Sequence, residues 1–203
     1  VNSSRNPVEV EGTTYAPGQV VATLVTDESG HASTEDEVLP YGTYTIREIA
    51  TNESMLQTFT EQTVQVREHK KIYVVTAEND VVRGGLSVEK RDSITGSTPQ
   101  GNADFSGIQF EIINDSKNPV IVGDKSIAPG EVTLPLTTDS EGKASTAPDA
   151  LPYGTYILHE SATNKSMLNT APDQQVEVTE NGKIYPFFMD NEVVRGGVLI
   201  EKR

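Results

Sequence analysis

The chain repeats itself in one continuous register, without a gap. Residues 1–80 lie over residues 113–192 at a constant offset of 112, so that Glu48 falls on Glu160, Asn79 on Asn191 and Lys90 on Lys202. Leu39-Pro-Tyr-Gly-Thr-Tyr matches Leu151-Pro-Tyr-Gly-Thr-Tyr, and Val81-Val-Arg-Gly-Gly matches Val193-Val-Arg-Gly-Gly. A period of this length is one small domain, so the chain folds as consecutive copies of one unit rather than around one enlarged core. The repeat places one complete unit at 81–192. Residues 1–80 form an incomplete unit, without counterparts of Arg91 to Gln109 or of the strand before them. Residues 193–203 carry the first strand of a following repeat, and the whole reads as a segment of a longer array.

Within each copy, short runs of Val, Ile, Thr, Tyr and Phe alternate with Gly, Pro, Asn and Asp clusters, the pattern of strands and turns. Strands are expected over Leu86 to Lys90, Ile108 to Ile112, Val132 to Leu136, Thr155 to Glu160, Gln175 to Val178 and Ile184 to Asn191. Asp27-Glu-Ser-Gly-His and Asp139-Ser-Glu-Gly-Lys read as turns. Ser161 to Asn169 has room for one helical turn at most. Many short strands joined by polar turns imply an all-β fold of tandem immunoglobulin-like β-sandwiches. Cysteine is absent, which excludes disulfide staples and metal–thiolate sites. A net charge of −14 argues against a nucleic-acid partner. No apolar run is long enough to span a bilayer, and no pattern for a cofactor or metal is present.

Strand periodicity turns the repeat into chemistry. Side chains alternate between faces, so Leu86, Val88 and Lys90 share one face, as do Val198, Ile200 and Lys202. The same phase groups Tyr156, Leu158 and Glu160, with Tyr44, Ile46 and Glu48 in the first copy. It groups Tyr185, Phe187, Met189 and Asn191, with Tyr73, Val75, Ala77 and Asn79 in the first copy, where Ile72 and Val74 blur the phase. Three strands therefore each end an apolar row with a polar residue. Burial of an isolated Lys or Glu is costly and shifts both toward their neutral forms, by as much as about 3–5 pKa units. A neutral amine can attack an Asn side-chain carbonyl while a carboxyl carries the proton, expelling ammonia and leaving an amide. Such a reaction occurs once per domain and is a maturation step rather than turnover, so the chain is not an enzyme in the ordinary sense.

The same residues carry a family resemblance. Gly85-Leu-Ser-Val-Glu-Lys-Arg-Asp resembles the opening strand of Cna B-type (SpaA-like) domains of Gram-positive adhesins and pilins, and Gly107-Ile-Gln-Phe-Glu-Ile resembles their next strand. Leu151-Pro-Tyr-Gly-Thr-Tyr-Ile-Leu-His-Glu resembles their glutamate strand. Val176 to Asn191 resembles their closing hairpin. The resemblance covers all of 81–192, and 1–80 as far as that piece extends. It implies a transthyretin-like, reversed immunoglobulin sandwich with a Lys90–Asn191 isopeptide bond and Glu160 as the catalytic acid. Glu48 is then the equivalent acid of the partial repeat, and Asn79 and Lys202 are half-sites of neighbouring repeats. It also implies an extracellular, cell-wall-attached stalk whose partners are adjoining repeats of the same protein. The Gly-Tyr that follows the glutamate strand in that family is replaced here by Lys165-Ser-Met-Leu.

Other readings exist. Lys90 alone is a strand-end lysine with its head in water, Glu160 a solvated acid and Asn191 a turn residue. A buried Lys90–Glu160 ion pair without covalent closure is another. At the level of the protein, the alternatives are a module that binds a host matrix protein or glycan, and a strand-donating repeat that assembles between chains through Glu48, Asn79 and Lys202. His31 and His159 read as surface residues, since their counterparts are Lys143 and Arg47. Asp27-Glu-Ser-Gly and Asp139-Ser-Glu-Gly lack the ligand spacing of a calcium loop. Leu151-Pro-Tyr-Gly-Thr has the wrong order for a sorting signal.

Overall fold

The computed structural model describes residues 1–203 and contains strands and turns without helix. It divides into two compact units, Val1–Asp80 and Val81–Arg203. In the first unit lie β1 (Val8–Val10), β2 (Thr13–Tyr15), β3 (Gly42–Ile46), β4 (Met55–Leu56) and β5 (Gln62–Val66). The two-residue strand β6 (Asp80–Val81) falls at the boundary. The second unit holds β7 (Arg83–Asp92), β8 (Gln109–Asn114), β9 (Val120–Val122), β10 (Lys125–Ile127), β11 (Val132–Thr137), β12 (Lys143–Ser145), β13 (Leu151–Pro152), β14 (Gly154–Ala162), β15 (Met167–Leu168), β16 (Gln174–Val178) and β17 (Ile184–Val193).

The second unit is a sandwich of two sheets. One is antiparallel in the order β11-β8-β14-β16. The other runs β12-β7-β17-β15, with β13 also on β7, and its central pair β7 and β17 is parallel. Alternation sorts the side chains as expected of a half-buried strand. Leu86 and Val88 of β7, Phe110 and Ile112 of β8, Tyr156 and Leu158 of β14, and Met189 of β17 are buried in one core. The apolar rows continue into Lys90, Glu160 and Asn191, which are buried too. Ser161 to Asn169 contains no helical turn: β14 runs on to Ala162, and the turn after it leads into β15.

The backbone forces two local choices. A Cβ at Gly85 would lie 2.3 Å from the carbonyl oxygen of Ala147, so β7 passes that loop only with glycine there. Gly142, at φ +77°, closes the turn after Asp139 and faces Phe105 at a distance that excludes a side chain. Asp139 secures the same turn by accepting from the N–H groups of Glu141 and Lys143. Those donors hold its carboxyl below the usual carboxylate range, the Lys143 N–H most strongly.

The first unit has a small core of Val8, Val10, Val21 and Tyr44. Its strands β1, β2, β3, β4 and β5 each have a counterpart 112 residues later in the second unit. Residues 20–25, 31–33 and 72–79, which correspond to β11, β12 and most of β17, form no strand. The reason is pairing. In the second unit β11 bonds to β8, and β12 and β17 bond to β7. Residues 1–80 contain no counterpart of β7 and only the tail of one for β8, so these segments have no ladder to join. Val25, Ile72 and Val74 are accordingly exposed. Residues 194–203, expected as a strand by analogy with β7, likewise carry no ladder bonds, and Val198, Leu199 and Ile200 are exposed. None of the three strands that pair with β7 in the second unit has a counterpart beside them.

Candidate functional site

The site lies at the inner ends of three strands of the second unit. The parallel register sets Lys90 of β7 opposite Met189, and Asn191 two residues further on the same face of β17. Glu160 enters from the other sheet, where β14 pairs with β8 and Glu160 stands opposite Phe110. A register shift after Glu160 ends the regular pairing of β14 there. Lys90 and Glu160 have side chains 0% and 1% exposed.

One carboxylate holds both other groups. Lys90 Nζ donates to Glu160 Oε2 at 2.7 Å, and Asn191 Nδ2 donates to Glu160 Oε1 at 2.6 Å. Lys90 Nζ also sits 5.8 Å from the centre of the Phe110 ring, which covers it with apolar surface. Burial lowers the Lys90 pKa, and this outweighs the opposing pull of Glu160 and Asp190. The amine is thus moved toward its neutral, nucleophilic form beside an amide. The Asn191 amide is held from its other side as well: Oδ1 accepts from the N–H groups of Thr170 and Ala171 at 3.3 and 3.0 Å, and Nδ2 lies 3.5 Å from Thr163 Oγ1.

The first unit repeats this frame without an amine. Asn79 Nδ2 donates to Glu48 Oε1 at 2.7 Å, and Asn79 Oδ1 accepts from the N–H groups of Thr58 and Phe59. Glu48 Oε2, the counterpart of the oxygen that binds Lys90, is buried with no hydrogen-bond partner. Lys202 is exposed. His159 pairs with Asp173 and His31 with Ser29, both at the surface. No cluster of His, Asp and Glu side chains converges as a metal site. No helix is long and apolar enough to cross a membrane.

Sequence reasoning overlooked the backbone donors on Asn191, the Phe110 cover, and a pair of buried amides. Asn114 and its counterpart Asn2 each bridge the hairpin that follows, Asn114 donating to Asn118 and Ile127 and Asn2 to Asn6 and Tyr15. Only the buried amides had a signal in the repeat, where Asn2 and Asn114 are an identical pair.

The sequence matches the SpaA prealbumin-like fold domain over residues 8–81 and again over 86–192. The chain belongs to the SpaA family. Both matched stretches are SpaA domains. No curated protein matches the chain. Among solved structures, the Bacillus anthracis TIE protein is 20% identical over 96% of this chain, with a TM-score of 0.62. The chain spans 31% of that protein. GBS52, the minor pilin of Streptococcus agalactiae, is 19% identical over 87% of this chain and 70% of its own, with a TM-score of 0.42. BcpA, the major pilin subunit of Bacillus cereus, is 16% identical over 77% of this chain and 40% of its own, with a TM-score of 0.41.

Proposed function

We propose that this chain is a structural stalk segment of a Gram-positive cell-surface protein of the pilin or adhesin kind, attached to the cell wall and exposed outside the cell. Each complete SpaA domain in it is closed by one Lys–Asn amide, and its partners are adjoining repeats of the same protein. The observation that carries this reading is the buried Glu160 carboxylate, hydrogen-bonded at once to the Lys90 amine and the Asn191 amide. In the closing step Lys90 Nζ adds to Asn191 Cγ. A new C–N bond forms, the Cγ–Nδ2 bond breaks, and Glu160 carries the proton from Nζ to the departing nitrogen, which leaves as ammonia. The amide joins β7 to β17, the first and last long strands of the unit. Pulling force enters the unit through those strands, so the bond lies where extension would start.

Intact mass tests the reading. The chain is expected to be lighter than its sequence by one ammonia, with the loss mapped to a Lys90–Asn191 cross-linked peptide. Glu160→Ala is expected to restore the full mass. A wild-type chain at full mass overturns the proposal.

A further inference from the structure

The Asn191 carbonyl oxygen is the atom that gains negative charge when an amine adds to Cγ. Two successive backbone N–H groups, those of Thr170 and Ala171, already converge on it. We propose that these two N–H groups form the oxyanion hole of the Lys90–Asn191 reaction, and that Thr170 and Asn169 are its positioning residues. The inference rests on the amide-bond reading above and adds to it the groups that lower its barrier.

The hole is built from both sides. Asn169 Nδ2 donates to the main-chain oxygen of Glu160 at 3.0 Å, tying the segment to the strand that carries the acid. The N–H of Glu192 donates to Thr170 Oγ1 at 3.2 Å, tying it to the strand that carries the amide. The two straps fix the donors relative to both reacting partners. Donors that are set before charge develops need no reorganisation during the step, which is what makes such holes effective.

The first unit holds the same device with different side chains. Gln57 Nε2 donates to the main-chain oxygen of Glu48 at 2.7 Å, and the N–H of Asp80 donates to Thr58 Oγ1 at 3.0 Å. Asn79 Oδ1 accepts from Thr58 and Phe59 at 3.1 and 3.0 Å. Asn169 has become Gln57 and Ala171 has become Phe59, yet every bond is kept. No amine occupies that site, since Glu48 Oε2 has no partner. The hole therefore belongs to the Glu–Asn frame and is not drawn into place by lysine.

In the closing step the Nζ lone pair adds to Cγ and the C=O π pair moves onto Oδ1, where the two N–H groups stabilise it. Glu160 takes the proton from Nζ and delivers it to Nδ2. Collapse re-forms the carbonyl and releases ammonia.

The test is a time course of closure. The full chain is made in a short pulse of cell-free translation and quenched in denaturant at intervals, and intact mass reads the closed fraction. Ala171→Pro removes one donor outright, and Thr170→Val removes the oxygen that accepts from Glu192 at nearly constant volume. Loss of one such donor is expected to slow closure about 10²–10³-fold for Ala171→Pro, with Thr170→Val slower than wild type. Each change is also placed in Lys90→Ala chains, which cannot close, and there it is expected to lower melting only as far as one lost hydrogen bond does, much less than the slowing would require. Closure at the wild-type rate in both variants overturns the hole. So does a slowing matched by lost stability of both variants in the Lys90→Ala chain, which makes the segment a structural strap only. A wild-type chain that never loses ammonia defeats the amide-bond reading itself, a result distinct from either.

Discussion

Asn79 donates its side-chain N–H to one oxygen of Glu48 at 2.7 Å, while the other Glu48 oxygen is buried with no partner. In the second unit that second oxygen binds Lys90. The two units therefore separate the carboxylate–amide contact, which forms in both, from the carboxylate–amine contact, which forms in one. The Glu–Asn frame does not depend on lysine.

This difference predicts unequal costs for the same change. In an Asn191→Ala chain, where no amide can form, Glu160→Ala leaves Lys90 buried without a counter-charge, and removing one partner of such a pair costs about 3–5 kcal/mol. Glu48→Ala removes one hydrogen bond and also an unsatisfied oxygen, so its net cost is expected to stay below about 1 kcal/mol. Hydrogen exchange, read separately for residues 1–80 and 81–193, checks both values. Equal costs in the two units would contradict the assignment of Lys90 and Glu160 as a buried pair.

The lowered Lys90 pKa sets a pH dependence of definite sign. The unfolded amine keeps its proton to about pH 10.4, whereas burial makes the folded one release it sooner. Between those two pH values the unfolded state binds more protons, so stability rises with pH across that window and is insensitive to this group below it. In the Asn191→Ala chain, denaturant unfolding is expected to show this rise. Lys90→Met in the same chain is expected to abolish it. The surface lysines Lys71, Lys143 and Lys183 shift in the opposite direction through their Glu partners, which is why the Lys90→Met difference is the quantity to measure. In the closable chain, the rate of ammonia loss is expected to rise with pH as the neutral amine becomes more abundant.

Much of this was legible in the sequence because strands report their faces. The rows ending in Lys90, Glu160 and Asn191 follow from alternation alone, and the structure buries all three. The six longer strands of the second unit were legible for the same reason, whereas the short strands β9, β10, β12, β13 and β15 were not. What periodicity does not report is who pairs with whom. Residues 72–79 have the pattern of β17 yet form no strand, because pairing depends on β7, a segment far away in sequence. Residues 194–203 have the pattern of β7 and fail for the same reason. The donors on Asn191 were invisible because they are backbone atoms of Thr170 and Ala171, which no side-chain pattern marks.

The tyrosine shared by both repeats anchors the turn before the glutamate strand. Tyr156 is fully buried, and its hydroxyl donates to the Pro152 carbonyl at 2.8 Å, as Tyr44 does to Pro40 at 2.9 Å. Burial pushes the Tyr156 hydroxyl pKa upward, so it remains a donor across the usable pH range. Tyr156→Phe keeps the ring and strands the Pro152 oxygen away from water, a loss of about 1–3 kcal/mol. Thermal unfolding of the Asn191→Ala chain measures it, and an unchanged midpoint would show that the oxygen finds another donor.

Phe110 links the core to the chemistry. Its ring is fully buried, stands opposite Glu160 in the β8–β14 register, and covers Lys90 Nζ at 5.8 Å. Phe110→Ala in the Asn191→Ala chain is expected to cost about 3–5 kcal/mol, from lost transfer energy and the cavity left behind. A second effect separates cover from packing. Water entering that cavity solvates the Lys90 ammonium, which restores its pKa toward the ordinary value and shrinks the Lys90-dependent rise of stability with pH. Phe110→Leu fills more of the space and is expected to lose less stability while still reducing that rise. If both variants lose stability and keep the full pH dependence, burial by the rest of the core alone lowers the Lys90 pKa, and the ring serves only as packing.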